Sequence, residues 1–415
     1  MIFGGPGSLI DTDFNDFAPR IGFAWTPTAN KNFVLRGSYG VFYDETPGND
    51  LAWDSSGPQN AFINNAISRD PKNPIDIATL FKDPPVFDPD NFNEILDMSD
   101  PIGYVSLITS KRRSPYLQNW TLSIQNMLPG QVLLETAYVG STGRKLSQRQ
   151  ELNRPLPQLG APPFEQERRP WPNIGFNIQD AGAGMSDYNS LQVTLRKTGT
   201  KLSFLMGYTY AKTTDWDSFG SVTTYRLTDT NNARSDWDMG HRLSFSWNYL
   251  LPKMEGQSGL IRNLLGGWQF GGITTLNSGL PITIGMSSDN SNTGSTYNAR
   301  QPNRLRNGTR GNQDIQQWFN TAAFALNPIN TYGNSGRNII DRDGIINQDL
   351  ALIKNWALPM LPTEEGRLQL RFEFFNAFNH PNFGGPSSNI QSAAFGRVSS
   401  ALFGRVIQTA LKVYF

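Results

Sequence analysis

Apolar and polar residues alternate with a period of two along much of the chain, the periodicity of a β-strand with one face buried. In "RLQLRFEFF", Arg367, Gln369, Arg371 and Glu373 take one face and Leu368, Leu370, Phe372 and Phe374 the other. "NFVLRGSYGVFY" sets Phe33, Leu35, Tyr39, Val41 and Tyr43 against Arg36 and Ser38. "NWTLSIQNML" sets Trp120, Leu122, Ile124 and Leu128 against Asn119, Thr121, Ser123 and Gln125. "KLSFLMGYTYA" aligns Leu202, Phe204, Met206, Tyr208 and Tyr210, and "HRLSFSWNYL" aligns Leu243, Phe245, Trp247 and Tyr249 against Arg242, Ser244, Ser246 and Asn248. The terminal "RVIQTALKVYF" places Ile407, Thr409, Leu411, Val413 and Phe415 on one parity. With 17–25, 131–139, 188–197, 268–277 and 349–356 the pattern predicts about eleven strands. In 349–356 the alternation is broken, because Lys354 shares a face with Leu350, Leu352 and Trp356.

Many of these strands run to about 9–12 residues, against a usual length of about 5–6, and about 9–11 residues let a tilted strand cross a bilayer. Their connections alternate in length. Short links (26–32, "PG" at Pro129–Gly130, "TGT" at Thr198–Thr200) follow the odd strands, and long ones (44–116, then a Gly- and Pro-rich stretch, then another long loop, and so on to the end) follow the even ones. The medium link 251–266 stands in a short position. A soluble sandwich has no reason to gather its long loops at one end, whereas outer-membrane barrels have short periplasmic turns and long external loops. The expected fold is therefore all-β: an antiparallel, up-and-down transmembrane β-barrel, whose eleventh strand ends in the periplasm.

Lipid assigns the faces. Arg or Lys facing lipid at mid-depth costs about 2–4 kcal/mol, so Arg242, Arg371 and Glu373 are expected to face the lumen. Aromatics near strand ends, Trp25, Tyr43, Trp120, Trp247, Tyr249 and Trp268, suit the interfacial girdles.

Composition agrees and excludes other chemistries. Gly and aromatics are abundant, with 39 Gly and 26 Phe in 415 residues, and no amphipathic helix of several turns is legible. The formal net charge of +1, without a basic tail, gives no support to nucleic-acid binding, and "KRR" (111–113) reads as a loop end. Without cysteine there are no disulfides, thiolate metal sites or cysteine nucleophiles. No apolar run reaches the roughly 18 residues of a membrane helix. The first residues, "MIFGGPGSLIDTDF", lack the pattern of a signal peptide.

"GGPGS" (4–8) lacks the Lys-Ser/Thr of a phosphate loop, and "DTDFND" (11–16) and "DRDG" (341–344) lack the bidentate Glu of a calcium loop. His241 and His380 have no second ligand at metal spacing. "NWT" and "NGT" are glycosylation sequons by letter alone. No catalytic arrangement, metal site or cofactor is expected, and the protein is not expected to be an enzyme.

"RLQLRFEFFNAFNHPNFG" (367–384) resembles a penultimate-strand block of the Oar-like TonB-dependent transporters. "DFAPRIGFAW", "NFVLRGSYGVFYD", "SPYLQNWTLSIQ", "DYNSLQVTLRK", "DMGHRLSFSWNYLLP" and "LLGGWQFGGITTLNSGLPITI" resemble further blocks, in the family's order. The resemblance covers essentially all of residues 1–415. It implies the C-terminal part of a 22-stranded outer-membrane barrel, with the signal peptide, TonB box, plug domain and N-terminal strands lying upstream of this chain. It also implies that Ile407, Leu411, Val413 and Phe415 form the signal read by the barrel assembly machinery, with Thr409 a departure. The implied function is energised uptake of a scarce, bulky ligand across the outer membrane of a Gram-negative bacterium. The implied partners are membrane lipid and, through the upstream part, the TonB complex. A passive pore or adhesin-like barrel is the alternative, and a soluble β-rich binding domain a more distant one.

Overall fold

The structure is a computed structural model that describes residues 13–27, 32–44, 102–108, 113–164, 166–172, 174–180, 182–218, 223–224, 232–294, 301–309, 313–358 and 366–415. Eleven strands follow one another in a single antiparallel sheet: β1 (Arg20–Trp25), β2 (Phe33–Tyr43), β3 (Tyr116–Leu128), β4 (Val132–Leu146), β5 (Gly184–Lys197), β6 (Leu202–Asp215), β7 (His241–Leu250), β8 (Gln269–Asn277), β9 (Ile345–Ala357), β10 (Arg367–Phe375) and β11 (Val406–Tyr414). Each pairs with its neighbours in sequence, so the meander is up-and-down throughout. A two-residue strand, Ala233–Arg234, adds to the end of β6. β1 and β11 are the two sheet edges, and the sheet is open between them.

The register carries the alternation across the whole sheet. Phe23 of β1 lies beside Gly37, which faces Leu122; Leu122 faces Tyr138, and Tyr138 faces Leu191. The row continues through Tyr210, and the next row runs Tyr208, Leu243, Leu276, Ile346. At the far edge Leu368, Leu370 and Phe374 of β10 face Val413, Leu411 and Ile407 of β11. A one-residue slip in any pair would have moved that strand's apolar set to the other side. The one register shift, between Gly143 and Leu146 in the β4–β5 pair, lies at the far end of those strands, and the apolar face below it is one band from edge to edge.

Among the described residues no second layer covers that band. Ile21, Phe23 and Trp25 on β1 and Ile407, Leu411 and Val413 on β11 are all more than half exposed. Large apolar side chains left open in this way are characteristic of a surface that meets another apolar phase. The buried core lies elsewhere, in the connection between β8 and β9, where Ile284, Trp318, Phe319, Ala323, Phe324 and Ile340 pack together.

Several strands outrun the alternation that predicts them. β4 continues through Gly143 to Leu146, β5 begins at Gly184, β6 extends to Asp215 and β9 begins at Ile345. The extensions of β4, β5 and β6 are mostly polar or charged and add little to the apolar face, whereas that of β9 adds Ile346 to the apolar row. Ladder hydrogen bonds need no hydrophobic period, so the sheet continues beyond the apolar band at the long-loop end. β1 is shorter than expected, starting at Arg20 rather than at 17.

Candidate functional site

Antiparallel order sends the connections after β2, β4, β6, β8 and β10 to one end of the sheet. Residues 45–101 and 109–112, which make up most of the first, lie outside the described residues apart from the strand Ile102–Ile108, as do Gly4–Ser8, Asp11 and Lys111. The other four fold onto one another. Arg337, between β8 and β9, donates to the Asp215 carboxylate at the end of β6, to the Asp215 carbonyl at 2.7 Å and to Ser218 Oγ at 3.1 Å. Next to it, Asn338 Nδ2 donates to the Arg234 carbonyl at 2.7 Å and to Asp236 Oδ1 at 2.5 Å. Arg234 in turn pairs with Asp238 at 2.7 Å and Asp341 at 2.8 Å. Burial opposes its charge, but the hydrogen bond to Asp238 and the nearby Asp341 hold its pKa above the ordinary arginine value.

Two further contacts bring in the connection after β4: Asn330 Nδ2 donates to the Ala161 carbonyl at 2.9 Å and Arg168 to the Asn292 carbonyl at 2.7 Å. From the connection after β10, Gln391 Oε1 accepts from the Ser287 and Ser288 N–H groups at 2.8 and 3.0 Å. Phe383, Ile390, Phe395 and Val398 close over the apolar cluster. Phe319 meets Phe324 and Phe395 edge-on, with ring centroids 5.9 and 5.1 Å apart. The outer end of the sheet therefore carries a folded cap with its own core.

Within the cap, a buried Glu151 lies 3.9 Å from Arg154 and 4.0 Å from Arg169. Arg169 also donates to the Asn153 carbonyl at 2.7 Å and sits 5.0 Å from the centre of the Phe164 ring. Burial lowers the Arg169 pKa, Arg154 adds to that, and Glu151 opposes it. Sequence reading passed over this group and over Arg337, because ion pairs formed by loop residues leave no periodic trace.

Below the cap, the polar face of the sheet is hollow. One cavity there, of about 540 Å³, is lined by Arg196, Ser246, Asn248, Gln269, Asp349 and Glu373 together with apolar residues such as Leu205, Ile273, Ile353 and Phe375. Further hollows next to β1, β2 and β3 open on the same side, against Arg36, Ser38, Thr121 and Ser123. Charged and hydrogen-bonding side chains share this hollowed face with Leu205, Ile273, Ile353 and Phe375, and the apolar band is the opposite face of the sheet.

The residues singled out from sequence fall on both faces. Arg242, Arg371 and Glu373 share the polar face: Arg242 is opposite Thr209 and Asn277, Arg371 opposite Ile353 and Glu373 opposite Ala351. Arg371 and Glu373 pair at 2.5 Å. Ile407, Leu411 and Val413 lie together on the apolar face of an edge strand, and Phe415, just past it, is 87% exposed.

Both histidines have structural partners. The Tyr208 hydroxyl lies 2.9 Å from His241 Nδ1, and the backbone N–H and carbonyl of His380 are held by the Asn376 side-chain amide, each at 2.9 Å. The loop carboxylates are similarly engaged: Asp13 with Arg113, Asp16 with Ser114, Asp341 with Arg234, and Asp343 with the Phe383 N–H. Among the described residues no group of three or more His, Asp or Glu could hold a metal ion. What the arrangement offers is a hollowed face, carrying charged and polar side chains among apolar ones, beneath a cap.

Residues 2–408 match the family model described as an outer membrane beta barrel domain. The chain belongs to this family. A barrel of this kind places it in the Gram-negative outer membrane, with the apolar band against lipid. Among solved structures, the outer membrane transporter YddB from Escherichia coli matches 95% of the chain at 10% identity with a TM-score of 0.51, which establishes a shared fold. The FrpB iron transporter from Neisseria meningitidis also matches over 95% of the chain, at 11% identity and a TM-score of 0.42. The chain covers 40% of YddB and 38% of FrpB, and so spans about two-fifths of the length of these structures. No curated protein sequence matches it significantly.

Proposed function

We propose that the chain is the C-terminal part of the barrel of a TonB-dependent transporter, which takes up a scarce, bulky ligand across the outer membrane at the cost of the inner-membrane proton gradient. The observation that carries the reading is an open eleven-stranded wall whose course is shared over 95% of its length with two-fifths of an outer membrane transporter. On this reading, upstream strands close the barrel between β11 and β1, and an upstream plug occupies the trough lined by Arg242, Arg371 and Glu373. The cap presents the outer recognition surface. Ile407, Leu411, Val413 and Phe415, exposed on an edge strand with an unpaired backbone, serve as the handle for the barrel assembly machinery.

The test uses the full-length gene product. In planar bilayers a plugged transporter stays electrically silent, whereas an open pore conducts. In cells lacking other transporters of this class, accumulation of labelled bulky solutes is expected to stop when the proton gradient is collapsed or TonB removed. Steady conductance, with uptake indifferent to the gradient, would establish the passive-pore alternative instead.

A further inference from the structure

The one medium-length connection at the short-turn end contains the helix α1 (Gly259–Leu265). None of its residues is buried. Leu260, Leu264 and Leu265 are 71%, 54% and 57% exposed, and Ile261 is exposed as well. At about 100° per residue these four side chains share one side, and Arg262 and Asn263 occupy the other. An isolated helix this short is not stable in water.

Its stability comes from the outside of the sheet. Trp268 Nε1 donates to the Leu264 carbonyl at 2.8 Å, and Trp356 Nε1 to the Asn263 carbonyl at 2.9 Å. Lys354 Nζ donates to the Gly266 carbonyl, so the last-turn acceptors of the helix are taken up by β9 and by the start of β8. Where the chain leaves the helix, a Cβ on Gly266 would stand 2.2 Å from the Lys253 carbonyl oxygen, so the turn requires glycine.

All three donors belong to the apolar parity. Trp356 faces Leu368 and Lys354 faces Leu370, in the row that ends on Leu411 and Val413. Trp268 stands two residues before Phe270, which faces Leu352. The helix is therefore fastened to the lipid-facing surface, at the edge of the band, rather than hanging below the barrel or folding into the trough. This also explains Lys354, which is 5% exposed: it lies under the α1 turn and does not meet lipid.

We propose that α1 is an in-plane membrane anchor whose Leu260, Ile261, Leu264 and Leu265 insert at the headgroup–acyl boundary of the periplasmic leaflet. Continuity selects lipid as the occupant. The exposed aliphatic side chains extend the apolar band, tryptophans of the interfacial type hold the helix there, and Lys253 and Arg262 flank it within reach of lipid phosphates. The inference rests on the outer-membrane reading and adds a contact that the strands alone do not make.

These 415 residues contain no cysteine, so, with any cysteine upstream of them replaced by serine, spin labels can be placed singly at Leu260→Cys, Leu264→Cys, Gln257→Cys and Asn263→Cys, with Leu122→Cys as a mid-band control. Full-length protein in phosphatidylethanolamine–phosphatidylglycerol vesicles would be probed with oxygen, which partitions into lipid, and with a water-soluble nickel complex. Labels at 260 and 264 are expected to behave like the control, colliding several-fold more with oxygen relative to nickel than labels at 257 and 263. If 260 and 264 behave like 257 while 122 reports lipid, the helix lies in water and the proposal falls. Shielding of 260 and 264 from both reagents would also overturn it, in favour of a protein partner. A control that itself reports water would refute the membrane band along with the anchor.

Discussion

Leu370 and Arg371 are adjacent in sequence and opposite in environment. Leu370 faces Leu411 and Lys354 within the apolar band, whereas Arg371 faces Ala410 and Ile353 and pairs with Glu373 on the polar side. Leu370→Arg would bring a guanidinium to lipid, a cost that reaches about 2–4 kcal/mol at mid-depth and is smaller toward the band edge where Leu370 faces Lys354. Arg371→Gln keeps a polar group in a polar trough and is expected to be tolerated. Heat-modifiable gel mobility of the full-length protein would separate the two, with the folded band depleted for Leu370→Arg and retained for Arg371→Gln. Equal damage from both would place the β10 register or its facing in error. At this scale the sequence is informative because burial in lipid is a strong, residue-by-residue filter. Lys354 is the instructive exception, since its partner is a helix that the alternation cannot reveal.

At the scale of elements, strands and cap differ in how much the sequence discloses. A strand's alternation is local, and all eleven strands are visible in it, down to the weakly patterned segment around Lys354. The cap is held by contacts such as Arg337 with Asp215, 122 positions apart, and by aromatic side chains from two different connections. Neither has a period, and neither is marked by composition.

The structure nevertheless gives the cap a testable latch. Arg337 and Asp215 are 12% and 10% exposed, and removing one partner of a buried pair typically costs about 3–5 kcal/mol. Partial exposure puts Arg337→Ala toward the lower end of that range. The cost is local, because the strands below have their own ladders. Limited proteolysis of the folded protein should then cut within 278–344 faster in Arg337→Ala than in wild type, while barrel assembly is unchanged. Unaltered proteolysis would show that the apolar cluster around Phe319 holds the cap without the ion pair.

For the whole molecule, the open sheet sets the condition for function. β1 and β11 each have one hydrogen-bonded neighbour, leaving two rows of backbone N–H and C=O groups. Water can satisfy such groups, but hydrocarbon cannot, at a cost of several kcal/mol for each one left open. In a bilayer these eleven strands must join others or close on themselves. The expectation is that the 415-residue chain, refolded alone, does not close.

Cysteine pairs can report this directly. Gly22 on β1 and Gln408, Ala410 or Lys412 on β11 share the polar face, and a disulfide forms only when the Cα atoms approach within about 7 Å. Gly22→Cys combined with each of the three β11 cysteines is expected to give no intrachain cross-link. Gly22→Cys with Ser38→Cys, directly opposed in the β1–β2 ladder, should cross-link and certify that the edge has folded. A monomeric cross-link from β1 to β11 in any register would mean that the segment forms a small barrel by itself. In that case the outer-membrane wall described here would be complete without upstream strands, and the passive-pore reading would gain what the transporter reading loses.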